Sequence, residues 1–261
     1  NKFSALSTDH SVARREYGIF LKSDSYGHAE VIIESPRHND MLGALGDAHL
    51  AELLRAYRMR IAEISMMKNI AIVLLFRNYG PRAGTSLEHP HTQIIASPII
   101  PPHIRDPFQK AALHYDSWGS CVYCDMIREE IRQQERMVYE NQYYAAFCPF
   151  AARTPYEIRI YPKAHNASYF WSDKDELPFL ADALGRSLRA MHAVLGTPSY
   201  NLILRTSPVG DEDVRYLHWY FVIVPRVSTP AGFEMGSGIY INSVPPERSA
   251  AELREAGGGK Q

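Results

Sequence analysis

The chain has 261 residues, of which 46% are hydrophobic and 22% are charged, and its formal net charge at pH 7 is −1. This composition is that of an ordinary globular protein, and the balanced charge argues against nucleic acid as a partner. No run of about eighteen apolar residues occurs, so we expect no transmembrane helix and no membrane partner. Three cysteines are too few for a disulfide framework, and we expect a cytoplasmic location. Because the first residue is Asn1, we expect the native start to lie upstream.

The first half of the chain alternates strand and helix patterns. Runs rich in β-branched and other apolar residues predict strands over 29–35, 70–78 and 91–97. Residues 47–66 place apolar side chains at helical spacing, with Asp47 as the N-cap. The apolar positions of this predicted helix are Leu50, Leu53, Leu54, Tyr57, Ile61 and Ile64.

The second half repeats this order. Residues 156–165 predict a strand followed by a proline and a histidine, and 175–196 predict a helix. Residues 200–208 predict a strand followed by a loop, and in 217–225 a histidine opens a further strand that ends in proline. In each half a histidine follows the first strand and another opens the third. We interpret the pattern as an internal repeat of two α+β units, joined by residues 102–135, with a frayed tail at 255–261.

The connecting segment carries a C-x-x-C motif. Cys121 and Cys124 can supply two thiolates to one ion, and His165 and His218 occupy matched positions of the repeat. Four such ligands form the tetrahedral set of a structural Zn²⁺ site. The alternatives are a redox pair of cysteines and two ordinary surface histidines. Cys148, beside Phe147 and Pro149, is interpreted as a small buried hydrophobic residue.

A His-Pro-His motif opens the third predicted strand. Residues two apart on a strand share a face, so His89, His91 and Gln93 are expected to form one row. A neutral imidazole is a competent nucleophile toward phosphorus, and an amide N–H can stabilise developing charge. A loop with phosphate-binding character precedes the motif, with Gly80, Gly84, Thr85 and Ser86. The alternative is that both histidines are structural or bind metal.

The run NYGPRAGTSLEHPHTQ, residues 78–93, resembles the active-site segment of galactose-1-phosphate uridylyltransferases, which belong to the histidine triad superfamily. The resemblance covers almost the whole chain. It implies an α+β fold of two histidine-triad-like units, each an antiparallel sheet with packed helices, related by duplication. The catalytic unit would be 1–101, and 102–261 the linker plus zinc-bearing unit. Other matching pieces are NKF (1–3), EVIIESPRH (30–38), CVYC (121–124), AFCPFAARTPYEI (146–158), PKAH (162–165) and TPAGFEMGSGIYIN (229–242).

The resemblance also implies roles for individual residues. His91 corresponds to the nucleophile and Gln93 to a phosphate-contacting glutamine. His89 and His38 correspond to ligands of a second Zn²⁺ site, whose two cysteines we expect upstream of this sequence. The positions implied to contact the nucleotide or its phosphates are Asn78, Thr85 and Ser86. Those implied to reach the sugar, from the partner subunit of a homodimer, are Phe233 and Glu234.

Two positions depart from the family pattern. Thr92 replaces a glycine, and Tyr220 replaces the second histidine of the second half, so one half alone retains a nucleophile. These features are similar to a divergent branch with adenylyl-transferring members.

We therefore predict a nucleotidyltransferase of the UDP-glucose:hexose-1-phosphate uridylyltransferase type. It would act by ping-pong chemistry on a nucleotide sugar, with a sugar phosphate or phosphate as acceptor. One alternative is an adenylyl-transferring phosphorylase acting on ADP-glucose, adenylyl sulfate or a dinucleoside polyphosphate. The others are simple hydrolysis and a catalytically silent, zinc-stabilised nucleotide-binding protein.

Overall fold

The computed structural model describes residues 6–85 and 87–258. It has helices and antiparallel strands, which confirms the predicted α+β class. The strands are β1 (Arg14–Tyr17), β2 (Phe20–Ser23), β3 (His28–Ile33), β4 (Ile72–Tyr79), β5 (His91–Ser97), β6 (Met137–Glu140), β7 (Tyr144–Phe147), β8 (Ile158–Pro162), β9 (Tyr200–Arg205) and β10 (Tyr220–Pro225).

The helices flank the strands along the chain. The α-helices are α1 (Asp47–Ser65), α2 (Pro102–Trp118), α3 (Val122–Gln133), α4 (Leu177–Leu195), α5 (Gly232–Ser237) and α6 (Pro246–Ala256). Short 3-10 turns occupy Leu42–Ala44, Pro81–Ala83, Tyr169–Trp171 and Lys174–Glu176. Within 6–85 and 87–258, none of the helices has the length and apolar character needed to cross a bilayer.

Strands from both halves of the chain form a single eight-stranded sheet. Its order is β3-β5-β4-β9-β10-β8-β7-β6, and every neighbouring pair is antiparallel. The halves meet at the β4–β9 pair, where Phe76 lies opposite Ile203. The order is mirrored about this pair, because β3-β5-β4 on one side faces β9-β10-β8 on the other. Strands β1 and β2 form a separate hairpin.

Helix α1 buries the face that its sequence predicts. The buried residues are Leu50, Leu53, Leu54, Tyr57, Ile61 and Ile64, all six of the predicted apolar positions. The N-cap is Gly46 rather than the predicted Asp47, which is instead the first helical residue. Its acidic side chain still lies in the first turn, where it opposes the helix dipole.

The segment predicted as a connection, 102–135, is mostly helical. It forms α2 and α3, and Cys121 is the N-cap of α3 with Cys124 in its first turn. The first two residues of the predicted tail 255–261 belong to α6, which extends to Ala256, and 259–261 lie outside the described residues. Buried Leu253 anchors that last helix in the main core.

Side chains along β5 point alternately to the helical core and to the opposite side of the sheet. Ile94 and Ala96 belong to the core that contains α1 and α4, so Thr92 faces the helices as well. His91 and Gln93 consequently face the opposite side of the sheet. The same alternation in β10 places Phe221 in the helical core and Tyr220 on the opposite side.

A buried ion pair lies under the start of β5. Arg77 Nε donates to both carboxylate oxygens of Glu34 at 2.9 Å, and both side chains are almost completely buried. Thr92 Oγ1 donates to Glu34 Oε1 at 2.6 Å, and Tyr57 OH lies 2.7 Å from Thr92 Oγ1. Arg77 Nη1 also donates to Tyr200 OH at 3.1 Å. These bonds connect the end of β3 with α1, β4, β5 and β9.

Replacing Arg77 by methionine should strongly destabilise the fold. The change leaves the Glu34 carboxylate buried without its cation, and breaking such a pair costs roughly 3–5 kcal/mol in the free energy of unfolding. Urea unfolding measures this loss. Arg132→Met, in an exposed ion pair with Glu129, should have little effect.

The double variant Arg77→Met/Glu34→Leu should recover part of the lost stability, because no unpaired charge remains buried. A loss in Arg77→Met no larger than in Arg132→Met would show that the pair does not stabilise the fold.

Candidate active site

His91 is fixed in one orientation at the first position of β5. Its Nδ1 lies 2.8 Å from the carbonyl oxygen of His89, which can only accept a hydrogen bond. Nδ1 therefore carries the proton in the neutral ring, and Nε2 keeps its lone pair. The side chain is buried to all but 7% of its surface. An imidazole held in this tautomer suits nucleophilic attack through Nε2.

His91 lines a cavity of about 350 Å³. Four other residues singled out from the sequence, Asn78, Gly80, Thr85 and His89, also line it. Among the described residues, Gly84, Gln93, Phe233 and Glu234 are not part of its lining. Ser86 lies outside the described residues, as does the matching piece NKF (1–3).

The loop between β4 and β5 has backbone conformations that require glycine. Gly80 has φ +79°, and a Cβ there would approach Ser199 Oγ to 2.3 Å. Gly84 has φ +82° in open space, so another side chain would be strained by its backbone alone. Asn78 at the end of β4 accepts a hydrogen bond from Asn201 Nδ2 at 2.7 Å. The loop is thereby held close to β9.

Several lining residues were not predicted from the sequence. Asp40 lies on the cavity wall, and hydrogen bonds from Ser35 and then Arg37 hold the pKa of its carboxyl below the usual value. Arg77 also reaches the cavity. Burial acts against its charge, but Tyr200 and Glu34 outweigh that effect and raise its pKa. One signal was available, because an arginine within the apolar run of β4 requires a buried partner. The remaining unpredicted lining residues are Asn39, Tyr79, Pro81, Leu87, Glu88, Thr197 and Ser199.

Phe233 and Glu234 lie on α5, apart from this cavity. Phe233 is 53% exposed, and the following Met235, Ile239 and Ile241 are also exposed. Glu234 accepts a hydrogen bond from the Ala231 N–H at 2.9 Å, and this bond lowers its pKa. The segment is therefore an ordered, largely apolar surface on the same chain.

His38 and His89 turn ring nitrogens toward each other. Their Nδ1 atoms are 3.3 Å apart, and His89 Nε2 lies 2.9 Å from the Ser35 carbonyl oxygen. Two nitrogens on a tetrahedral zinc ion are separated by about 3.3 Å, given Zn–N bonds near 2.05 Å. The pair has the spacing of two ligands. Within 6–85 and 87–258, no third metal-ligating side chain completes this group.

The four residues predicted to bind zinc come together. One ligand atom from each of Cys121, Cys124, His165 and His218 lies within 4.8 Å of all the others. Cys124 Sγ is 3.4 Å from His165 Nδ1 and 3.5 Å from His218 Nδ1. A tetrahedral zinc ion separates sulfur and nitrogen ligands by roughly 3.6 Å. The donor set and spacing therefore fit a closed structural metal site.

The second nitrogens of both histidines also have partners. His218 Nε2 lies 2.9 Å from the Pro162 carbonyl oxygen, and His165 Nε2 lies 3.4 Å from that of Val214. These contacts orient Nδ1 of each ring toward the thiols, as outer contacts of metal ligands do. Hydrogen bonds from Cys124 and then the two histidines hold the pKa of Cys121 well below its usual value. Cys148, fully buried, is not part of the group, as predicted.

Comparisons with known proteins assign the chain to a family. A family model described as a domain of unknown function, DUF4921, matches residues 47–256. ADP-glucose phosphorylase of Arabidopsis thaliana is 33% identical over 259 residues, which cover 98% of this chain and 72% of that protein. Galactose-1-phosphate uridylyltransferase of Thermotoga maritima is 30% identical over 265 residues, covering 98% of this chain and 82% of that protein. The chain belongs to the galactose-1-phosphate uridylyltransferase family.

Solved structures agree with this assignment. A uridylyltransferase structure superposes with a TM-score of 0.91 at 28% identity, covering 99% of this chain and 84% of that one. ADP-glucose phosphorylase of Arabidopsis thaliana with bound ADP-glucose superposes with a TM-score of 0.83 at 31% identity, covering 90% and 75%. As a member of this family, the protein is an enzyme of the nucleotidyltransferase type.

Cys121→Ser should release the metal from the four-residue group. An alcohol is a much poorer zinc ligand than a thiolate, and loss of a structural ion also lowers stability. Elemental analysis of the purified protein measures metal per chain.

Cys148→Ser is the matched control. It buries a hydroxyl in the core and should lower stability, but it should leave metal content unchanged. Equal metal content in wild type and Cys121→Ser would refute the ligand set.

Proposed function

We propose that this member of the family transfers a nucleotidyl group through a covalent intermediate on His91. The donor is a nucleotide sugar, in the first instance UDP-glucose, and the acceptor is a hexose 1-phosphate or phosphate. The observation that carries the proposal is the fixed tautomer of His91, whose Nε2 lone pair is available at the cavity. The family membership supports the same reaction class.

In the first step His91 Nε2 attacks the α-phosphorus of the donor. The new N–P bond forms as the P–O bond to the departing sugar 1-phosphate breaks. The ring becomes positively charged, and the proton on Nδ1 stays hydrogen-bonded to the His89 carbonyl oxygen, which stabilises that charge. In the second step a phosphate oxygen of the acceptor attacks the same phosphorus and releases neutral His91.

The surrounding residues bind and position the phosphates in this proposal. Asn78 and Thr85 on the cavity wall, with Ser86 and the backbone of Gly84, would donate hydrogen bonds to phosphate oxygens. Gln93 shares the sheet face of His91 and would donate its amide N–H as negative charge develops.

Zinc has a structural role in the proposal. The group Cys121, Cys124, His165 and His218 would hold one Zn²⁺ and attach the start of α3 to the second half of the sheet. His38 and His89 would be two of the ligands of a second ion. By orienting His89, that ion would help to fix the carbonyl group that accepts from His91.

We infer that the active enzyme is a homodimer. Phe233 and Glu234 would complete the sugar site of the partner subunit, because they do not line the cavity of their own chain. The exposed apolar side chains that follow them support an interface there. The mirrored strand order supports two duplicated units, with 1–101 as the catalytic unit and 102–261 as the other. A cytoplasmic location is part of the same proposal.

Adenylyl transfer is the second candidate function. The 33% identity to an ADP-glucose phosphorylase over 98% of the chain favours it. Thr92 also favours adenylyl transfer, since it stands where the resemblance to uridylyltransferases implies a glycine. The donor would then be ADP-glucose or another adenylyl donor, and the step at His91 would be the same.

Intact-mass measurement of the protein after incubation with a donor, without acceptor, tests the nucleophile. A gain equal to UMP with UDP-glucose is the result we expect, and a gain equal to AMP with ADP-glucose instead would assign the second candidate. His91→Ala should abolish the gain because it removes the attacking nitrogen.

His10→Ala, an exposed histidine near the start of the chain, is the control and should retain the gain. Retention of the nucleotidyl mass in His91→Ala would refute the assignment.

A further inference from the structure

A second and larger cavity lies against β8, β9 and β10. Its volume is about 670 Å³, within the range of small-molecule sites. This cavity includes the end of β9 and the start of β10 in its wall. The cavity of His91 is related in the same way to the end of β4 and the start of β5. His218 and Tyr220 line it, in the positions that His89 and His91 have in the other half.

The lining is strongly basic. Its ionised groups are five basic residues, Lys110, Arg153, Arg159, Arg205 and Arg226, against two acidic residues, Asp106 and Glu157. Arg159 and Arg226 have partners: Arg159 forms an ion pair with Glu157 at 2.8 Å, and Arg226 Nε donates to Asn201 Oδ1 at 2.5 Å. The guanidinium of Arg205, at the end of β9, makes no hydrogen bond or ion pair within the described parts of the chain. The cavity therefore offers an unneutralised cation.

A buried polar atom of another lining residue has no hydrogen-bond partner among the described residues. Ser207 is 7% exposed and lines the cavity, and its Oγ has no hydrogen-bond partner among the described residues. Buried hydroxyls are normally paired, so this group indicates a ligand or water that supplies the missing bond. A guanidinium and a hydroxyl donor on the wall of one cavity can together bind a phosphate group.

Aromatic rings form another part of the wall. Tyr220 stacks on Tyr161 with centroids 4.6 Å apart, and Tyr123 lies 5.8 Å from Tyr220. Tyr123 and Tyr220 line the cavity, where their rings can contact a flat base. A phenol does not offer the unprotonated nitrogen lone pair of an imidazole, so nothing at this position repeats the proposed chemistry of His91.

We propose that this cavity is a second, non-catalytic binding site for a nucleoside phosphate, with Arg205 and Ser207 holding the phosphate and the tyrosines contacting the base. The site is separate from the cavity of His91. Its occupancy does not depend on whether His91 is a nucleophile.

Isothermal titration calorimetry of the full-length, metal-loaded protein with AMP, UMP and inorganic phosphate tests the site. Arg205 would supply charge-assisted hydrogen bonds to the phosphate, so Arg205→Gln should weaken binding of AMP or UMP at this second site about tenfold. Where the weakened site is no longer detected, wild type should bind one more nucleotide per chain than the variant. Arg215→Gln, at an exposed arginine outside the cavity, should behave as wild type.

Ser207→Ala is a second variant whose fold is not at risk. It removes a hydroxyl that has no hydrogen-bond partner in the described part of the chain, so thermal stability should be maintained while nucleotide binding weakens. Nucleotidylation of His91, read by intact mass, should be unchanged in Arg205→Gln, which keeps this test separate from that of the catalytic proposal. Equal stoichiometry and affinity in wild type, Arg205→Gln and Ser207→Ala would overturn the site. If inorganic phosphate binds wild type as tightly as AMP and UMP do, the base and ribose add nothing to binding. That result would overturn the proposal that the ligand is a nucleoside phosphate.

Discussion

The buried pair of Glu34 and Arg77 is the constraint on which the catalytic geometry depends. A carboxylate and a guanidinium inside the core are stable only with full hydrogen bonding. Thr92 supplies part of it, and since Thr92 is the neighbour of His91 in β5, its bond to Glu34 fixes the strand on which the proposed nucleophile stands. The position that carries threonine instead of the expected glycine is thus part of this support.

Strand alternation then distributes the chemistry over the sheet. Side chains on one face of the eight-stranded sheet pack against α1 and α4, whereas His91 and Tyr220, which line the two cavities, lie on the opposite face. The mirrored strand order gives each half a cavity at the start of its third strand. One half has His91 at that point and the other has Tyr220. In the two proposals made above, a single architecture therefore holds a reactive site in one half and a site for binding alone in the other.

The sequence was informative where local pattern sufficed. Helical spacing predicted the buried face of α1, and the C-x-x-C motif with two matched histidines predicted the metal group. The sequence pattern did not indicate that the connecting segment 102–135 forms the helices α2 and α3. It also did not assign Arg77 to the cavity, because the partner Glu34 is distant in the chain. The place of Ser199 in the cavity wall could not be predicted either, because only the β4–β9 pairing brings Ser199 beside the loop.

The stereochemical course at phosphorus tests the covalent mechanism most directly. The enzyme is given a nucleotide sugar with one sulfur on its α-phosphorus, in a single configuration, together with the acceptor. Each in-line displacement inverts the phosphorus, so two steps through a nucleotidyl-histidine predict overall retention of configuration. Product with inverted configuration would mean a single direct displacement and would contradict the account.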